Sequence, residues 1–346
     1  MNNQELQAYN NNRNICQAGY ASANVKETIR SMYNLLGIGP WEIVTLTDYN
    51  SSHVKIYNER INEPFFVYVA HCNVGKTDFE VLQPVYGPNA YSKFIEEKGA
   101  GLQHPKEKLL KEDLWDATLD AEKAGSELLL TGGIETDRFI YLDMQKMGGG
   151  IYELGNSPED LVLEKECWPL TGDLEAMREK NRNRKITRIA YLAYDLRRVM
   201  RTLYYNLKMG PWSIAELNDK NTTEFSVCGK KVEGKFACQV ATCMLGEMQI
   251  EIIQPVIGLE PMFDYLKKHG EGPYRVTEKM TESEMNQFID HLKCKGYSPV
   301  ISGTVNSEKF YSFNLEDVGL SVFEITTGSG YLSLEPFSPE VWPFEN

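Results

Sequence analysis

The sequence predicts an α+β protein of two tandem domains, each a pair of β-α-β-β-β units, and three observations predict it. The stretch FEVLQPVYGPNAYSKFIEEKGAGLQH at 79–104 returns as IEIIQPVIGLEPMFDYLKKHGEGPYR at 250–275. Glu80, Gln83, Pro84, Val85, Gly87, Gly99 and Gly101 recur as Glu251, Gln254, Pro255, Val256, Gly258, Gly270 and Gly272, an offset of 171 residues throughout. The same offset relates Gly39-Pro40-Trp41 to Gly210-Pro211-Trp212, Gly125 to Gly296 and Glu153 to Glu324. Solenoid units run to about 20–50 residues, so so long a period marks a duplicated domain. Within each copy, strand-type runs and single amphipathic helices follow the order β-α-β-β-β twice. The chain of 346 residues is long enough for two domains of ordinary size.

Taken in order, residues 1–13 are polar and Asn-rich and predict a flexible N-terminus. Residues 15–23 predict a strand of small and apolar residues. Asn24 is a good N-cap for VKETIRSMYNLL, where Val25, Ile29, Met32, Tyr33 and Leu36 share one helical face. Gly37 and Gly39-Pro40 end that helix. Strands follow at 41–46, 64–72 and 77–82, the last two joined by an NVGK turn. A helix within 89–98 leads to a second unit with strands near 102–109, 126–130, 137–142 and 150–154 and a helix near 113–124. The polar PKEKL after His104, with its proline, fits a strand poorly. Residues 156–185 read as a linker, and the order repeats through the second domain, 186–346, which ends in the tail YLSLEPFSPEVWPFEN. Trp168-Pro169 and Trp342-Pro343 read as equivalent extensions of the two copies.

The composition, 42% apolar and 25% charged, is that of a soluble globular protein. A net charge of −13 argues against nucleic acid or an anionic membrane as the main partner. Seven scattered cysteines with no CxxC pair read as reduced thiols. The N-terminal stretch lacks the basic and apolar regions of a secretory signal, and no run reaches the roughly 18 apolar residues of a membrane span. These readings predict a cytoplasmic protein.

The phrases LLGIGPW, FEVLQP…GAGLQH and GGIYELG resemble the vicinal oxygen chelate superfamily, in its branch that includes methylmalonyl-CoA epimerase and glyoxalase I. The resemblance covers roughly residues 14–155 and again 185–326. It implies an open, curved mixed sheet in each copy, and in the first (14–155) a divalent metal held by one ligand from each of four strands. At the matching positions stand Gln17, Glu80, His104 and Glu153, a set similar to that of eukaryotic glyoxalase I, whereas epimerases more often have His at the first. Three oxygens and one imidazole suit a hard or borderline ion, with Zn, Co, Ni, Mn and Mg all compatible. In the second copy the 171-residue offset leads to Arg188, Glu251, Arg275 and Glu324. Arginine does not ligate metals, so two guanidinium groups facing two carboxylates predict a degenerate, metal-free site.

The resemblance implies a metal-dependent isomerase or epimerase that abstracts a proton next to the carbonyl of a small substrate, with the enolate stabilised by the ion. Glu153 is the first candidate base and Glu80 its partner. A lyase or ring-cleaving dioxygenase is an alternative within the same fold, although ring-cleaving relatives typically use two His. A non-catalytic small-molecule-binding protein is the other alternative. A homodimer is compatible with the sequence. His71 lies on the strand before Glu80 and faces either into the cleft or out of it. His53, His269 and His291 sit in polar surroundings and read as surface residues. Tyr20, Tyr68 and Tyr191 line a cleft or the core, and aromatic residues on strands are more often core. MGGGIY at 147–152 lacks the Lys-Ser/Thr of a phosphate loop and reads as a turn into the Glu153 strand.

Overall fold

The computed structural model describes residues 2–158, 161, 163–334 and 341–342. The first copy comprises α1 (Asn3–Asn11), β1 (Ile15–Ala21), α2 (Val25–Ser31), β2 (Trp41–Thr47), β3 (Ser52–Ile56), β4 (Glu59–Arg60), β5 (Phe66–Val74), β6 (Thr77–Tyr86), α3 (Ser92–Lys98), β7 (Gly101–Lys108), α4 (Leu114–Lys123), β8 (Glu127–Ile134), β9 (Asp137–Asp143), β10 (Ile151–Gly155) and β11 (Glu166–Trp168). The second comprises α5 (Leu174–Arg182), β12 (Lys185–Leu192), α6 (Leu196–Leu207), β13 (Trp212–Asn218), β14 (Thr222–Val227), β15 (Lys230–Lys231), β16 (Ala237–Leu245), β17 (Met248–Ile257), α7 (Glu260–His269), β18 (Gly272–Lys279), α8 (Glu282–Cys294), β19 (Ile301–Val305), β20 (Glu308–Asn314), β21 (Val322–Thr326) and β22 (Val341–Trp342).

Each copy builds its own mixed sheet, in the first case with the order β11-β2-β5-β6-β1-β7-β10-β9-β8-β3-β4. The two β-α-β-β-β units meet at the antiparallel β1–β7 pair. The hairpin β3–β4, unforeseen because SSHVKIYNER is polar, follows β2 near one edge yet pairs with β8 near the other. The five residue steps from Thr47 to Ser52 span at most about 18 Å, so the sheet must curl until its edges approach across a concave face.

One continuous core lies between the two sheets and takes residues from both copies, including Val25 and Ile29 of α2, Leu114 of α4, Leu203 of α6 and Leu292 of α8. Two further apolar clusters line the concave faces, one per copy. Helices α2, α4, α6 and α8 are thus sandwiched, whereas α3 and α7 pack on the concave-face clusters.

The N-terminal stretch is not the flexible arm its polarity suggested. Asn2 and Glu5 form a capping box that starts α1. This helix docks on the second copy through buried Leu6 and through Asn10, whose Nδ2 donates to the carbonyls of Lys208 (2.9 Å) and Gly210 (2.7 Å). Helix α5, in the stretch read as a linker, lies 171 residues on and does the reverse. Asn181 Nδ2 donates to the Gly39 carbonyl of the first copy, and Gly75 N donates to Asn181 O at 2.8 Å, as Gly246 N does to Asn10 O. Arg13 then pairs with Glu107 and Arg184 with Glu278, again one offset apart. The two copies therefore exchange their leading helices. Trp168 pairs in register with Trp41, and Trp342 with Trp212, so the two extensions are equivalent in their backbones. Pro343 and most of the tail lie outside the described residues.

Candidate metal centre

Strand β7 runs through PKEK (105–108) despite the proline. Its ladder to β10 begins at Lys106, one residue beyond Pro105, so the missing N–H falls before that pairing starts. Extra residues at Cys16 in β1 and Gln103 in β7 bulge the β1–β7 ladder on either side, and the second copy repeats both bulges at Thr187 and Tyr274. Bulges re-aim the side chains next to them, here Gln17 and His104.

Gln17, Glu80, His104 and Glu153 stand on β1, β6, β7 and β10, four adjacent central strands, and all four are buried. His104 Nε2 lies 3.1 Å from Glu153 Oε2 and 3.5 Å from Glu80 Oε2. One ligand atom from each of Glu80, His104 and Glu153 falls within 4.8 Å of the others. His104 Nδ1 meets Gln103 Oε1 at 3.1 Å; in the Nδ1–H tautomer Nε2 keeps its lone pair for an ion. In that neutral tautomer Glu80 Oε2, His104 Nε2, Glu153 Oε2 and Gln17 Nε2 are buried without a hydrogen-bond partner. A half-turn of the Gln17 amide presents Oε1 in place of Nε2. Orphaned polar atoms from all four strands fit a divalent cation, which would satisfy them together.

Two features of this centre escaped the sequence reading. Gly19 faces His104 across the ladder, and a Cβ there would overlap the imidazole. The second copy carries Ala190 at this place, opposite Arg275. Lys106, two residues past His104 and so on the same strand face, places Nζ 2.8 Å from Glu153 Oε1. Burial pushes the Glu153 carboxyl up, but Lys106 and His104 outweigh it and hold it down at about 2. Burial opposes the charged imidazole of His104, yet Glu153 and Glu80 raise it above the usual histidine range.

The centre lies on a cleft of about 650 Å³. Val44, Leu46, Val69, Leu82, Tyr91, Phe139 and Tyr141 supply apolar and aromatic wall, and His71, Asp78 and Asp137 polar positions. His71 faces into the cleft, with Nδ1 2.8 Å from Asp78 Oδ2 and Nε2 3.8 Å from Glu80 Oε1. Its burial disfavours charge, but Asp78 and Glu80 prevail and raise it to about 9. The Cys16 thiol also lines the cleft, pushed up to about 12 by burial, which leaves it a poor nucleophile. The aromatic wall comes from Tyr91, Phe139 and Tyr141. Tyr20 and Tyr191 are core, and Tyr68 packs partly buried against it. His53 and His291 are exposed, whereas His269 is half-buried against Glu316 and the Lys98 carbonyl, because α3 and α7 pack together.

In the second copy the equivalent four residues also converge. Arg188 reaches Glu251 and Glu324 at 2.8 Å each, and Arg275 reaches the same two carboxylates at 2.7 Å each. Ser312 Oγ donates to Glu324 Oε2 at 2.6 Å. Burial raises the Glu251 carboxyl, but Arg188 and Arg275 more than reverse this and hold it low. These four residues do not fit a metal ion.

No protein-family model and no curated protein matches the chain. Among solved structures it is similar to a triple mutant of 4-hydroxymandelate synthase from Streptomyces coelicolor, with a TM-score of 0.60 at 12% identity over 93% of this chain and 94% of that one. It is also similar to a xylose isomerase-like TIM barrel/4-hydroxyphenylpyruvate dioxygenase fusion protein, with a TM-score of 0.50 at 11% identity over 92% of this chain. The match spans 49% of that fusion. Among the described residues no helix is long and apolar enough to cross a membrane. Likeness at such identities speaks for the fold: two curved sheets of paired β-α-β-β-β units in one chain are the vicinal oxygen chelate fold in tandem duplication.

Proposed function

We propose that the first copy is a divalent-metal-dependent enzyme that moves a proton next to the carbonyl of a small substrate, as an isomerase or epimerase does. The observation that carries this reading is the set of orphaned donor atoms on Gln17, Glu80, His104 and Glu153 at the floor of an open cleft. A bound divalent ion would supply Lewis-acid polarisation of the substrate carbonyl. The chain's own residues divide the remaining work. Glu153, clamped by Lys106 and held at about 2, is a weak base and serves as a ligand. Glu80 supports the proton-transfer role better than Glu153, because among the described residues no lysine is paired with its carboxylate and its Oε1 edge faces the cleft beside His71. The wall of Val69, Leu82, Tyr91 and Tyr141 excludes water and orients an apolar or aromatic substituent.

The test is incorporation of solvent deuterium into carbonyl substrates by metal-loaded protein, with Glu80→Gln alongside. Exchange in the wild type that the variant loses by about 10²-fold or more supports the reading. Metal-loaded protein that exchanges no carbon acid overturns it. The likeness to a synthase of 4-hydroxymandelate and to a 4-hydroxyphenylpyruvate dioxygenase fusion, with the aromatic wall, favours a second reading: oxidation of an aromatic carbonyl acid. Substrate-dependent oxygen consumption distinguishes it, and the single imidazole of the donor triad counts against it. Ligand binding with neither exchange nor oxygen uptake would leave a non-catalytic binding protein.

A further inference from the structure

The second copy holds two buried carboxylates where the first holds two, and its neutralisation is complete without any ion. We infer that Arg188 and Arg275 are covalent stand-ins for the metal, and that the second cleft is a permanently closed version of the first. Four contacts of 2.7–2.8 Å link the two guanidinium groups alternately to Glu251 and Glu324, so each carboxylate meets both cations and each cation both carboxylates. The terminal nitrogens of both guanidinium groups are taken up by the four carboxylate oxygens, and only Arg188 Nε and Arg275 Nε of these groups are buried without a hydrogen-bond partner.

The chain beyond β21 also returns over strands β12 and β17 of this cleft. The Gln249 side chain accepts from Leu332 N at 2.8 Å and donates to Leu332 O at 3.1 Å. Thr187 Oγ1 donates to Gly330 O, and Tyr331 OH to Glu247 O. The segment from Gly330 to Leu332 thus lies along the cleft, and the cavity beside Arg188 is only about 50 Å³. At the Gln249 position the first copy has Asp78, one offset earlier, whose carboxylate offers no N–H for such a clasp and turns to His71 instead. The exchange at Gly19 fits the same account. Histidine at the ligand position needs glycine opposite, whereas Arg275 reaches past the methyl of Ala190.

The inference rests on the first copy being a metal site, and metal counting separates the two claims. Protein reconstituted with Mn²⁺ alone and desalted is measured for ions per chain, for the wild type and for Arg188→Gln/Ala190→Gly/Arg275→His. One ion in the wild type and two in the folded triple variant are the expected results. No ion in the wild type overturns the reading of the first copy. Two in the wild type, or one in a folded triple variant, overturns the account of the second. The mirror variant Gln17→Arg/Gly19→Ala/His104→Arg decides the matter if the first fails to fold. It should fold without metal, with a melting temperature that chelator leaves unchanged; failure to fold, or metal retained, refutes the substitution of arginine for ion.

Discussion

Replacing Gly19 with alanine adds one methyl group and should disable the metal centre. The new Cβ would lie 2.8 Å from His104 Nδ1 and closer still to Cε1 and Nε2, well inside van der Waals contact. The ring has little room to retreat. It is fully buried, packs edge-on against Tyr141 with centroids 4.8 Å apart, and is tied through Nδ1 to Gln103. Overpacking of this kind costs about 1–3 kcal/mol of stability. Displacing a ligand from its supported orientation costs about 10–100-fold in metal affinity, or about 1.4–2.8 kcal/mol. The assay is competition of Mn²⁺ or Zn²⁺ against a chromogenic chelator, together with melting curves at fixed metal. The wild type should gain about 2.7 kcal/mol at a free ion concentration 100 times Kd, and Gly19→Ala should lose most of that gain. Wild-type affinity in a folded Gly19→Ala protein would refute the placement of His104 over Gly19. Ala190→Gly, in the second copy, is the matched control and should leave affinity unchanged.

Arg275→Met should destabilise the protein by about 3–5 kcal/mol, since breaking a buried pair leaves carboxylates with half their compensation; denaturant unfolding measures it. Lys106→Met should cost a similar amount in metal-free protein and markedly less at saturating Mn²⁺, because an ion then compensates Glu153 in place of the ammonium. Acid melts should show Glu251 giving stability above its unfolded pKa of about 4.3 and losing it as pH falls through its depressed folded value. His104 works in the opposite sense: its raised folded pKa stabilises metal-free protein fully below about 6.5 and less as pH rises through the folded value. Because ion and proton compete for Nε2, the gain in melting temperature on adding metal should therefore grow with pH across that interval. Asn10→Ala removes a side chain bonded to three carbonyls, Leu6, Lys208 and Gly210, and should cost about 1–3 kcal/mol in thermal or denaturant melts.

The offset of 171 residues made the duplication and the paired strands legible, because glycines, prolines and buried acids repeat where backbone geometry repeats. Resemblance then singled out four positions whose side chains converge in the structure, and the arginines at two of the second copy's positions were visible directly. What stayed hidden depended on contacts across strands or copies. Gly19 looked like any small strand residue until its register opposite His104 was known. Lys106 sat in a polar run that argued against a strand, although its spacing from His104 was available as a signal. The exchanged helices were marked by Asn10 with Asn181, Arg13 with Arg184 and Glu107 with Glu278, all at the repeat offset. Their low hydrophobicity concealed them: α1 buries only Leu6 and Asn10, so its docking rests as much on hydrogen bonds as on apolar area. The β3–β4 hairpin was missed although Val54 and Ile56 alternate with exposed His53 and Lys55, because that run is short and β4 is exposed throughout.

Both copies bury two carboxylates at the same strand positions, and burial of an acid pair demands positive charge. The second copy supplies two charges through covalently attached guanidinium groups, which are present under all conditions and occupy the space they neutralise. The first supplies one through Lys106 and leaves the balance to His104 or to an exchangeable ion in an open cleft. Only the second arrangement is indifferent to chelator and ligand, and only the first leaves room for a substrate oxygen. Because the two copies share one core and hold each other's leading helices, loss of the Arg–Glu ring should impair the first cleft through stability alone. Arg275→Met should therefore lower the melting temperature while the surviving folded protein keeps its metal affinity, whereas a ring that also tuned the first centre would shift both.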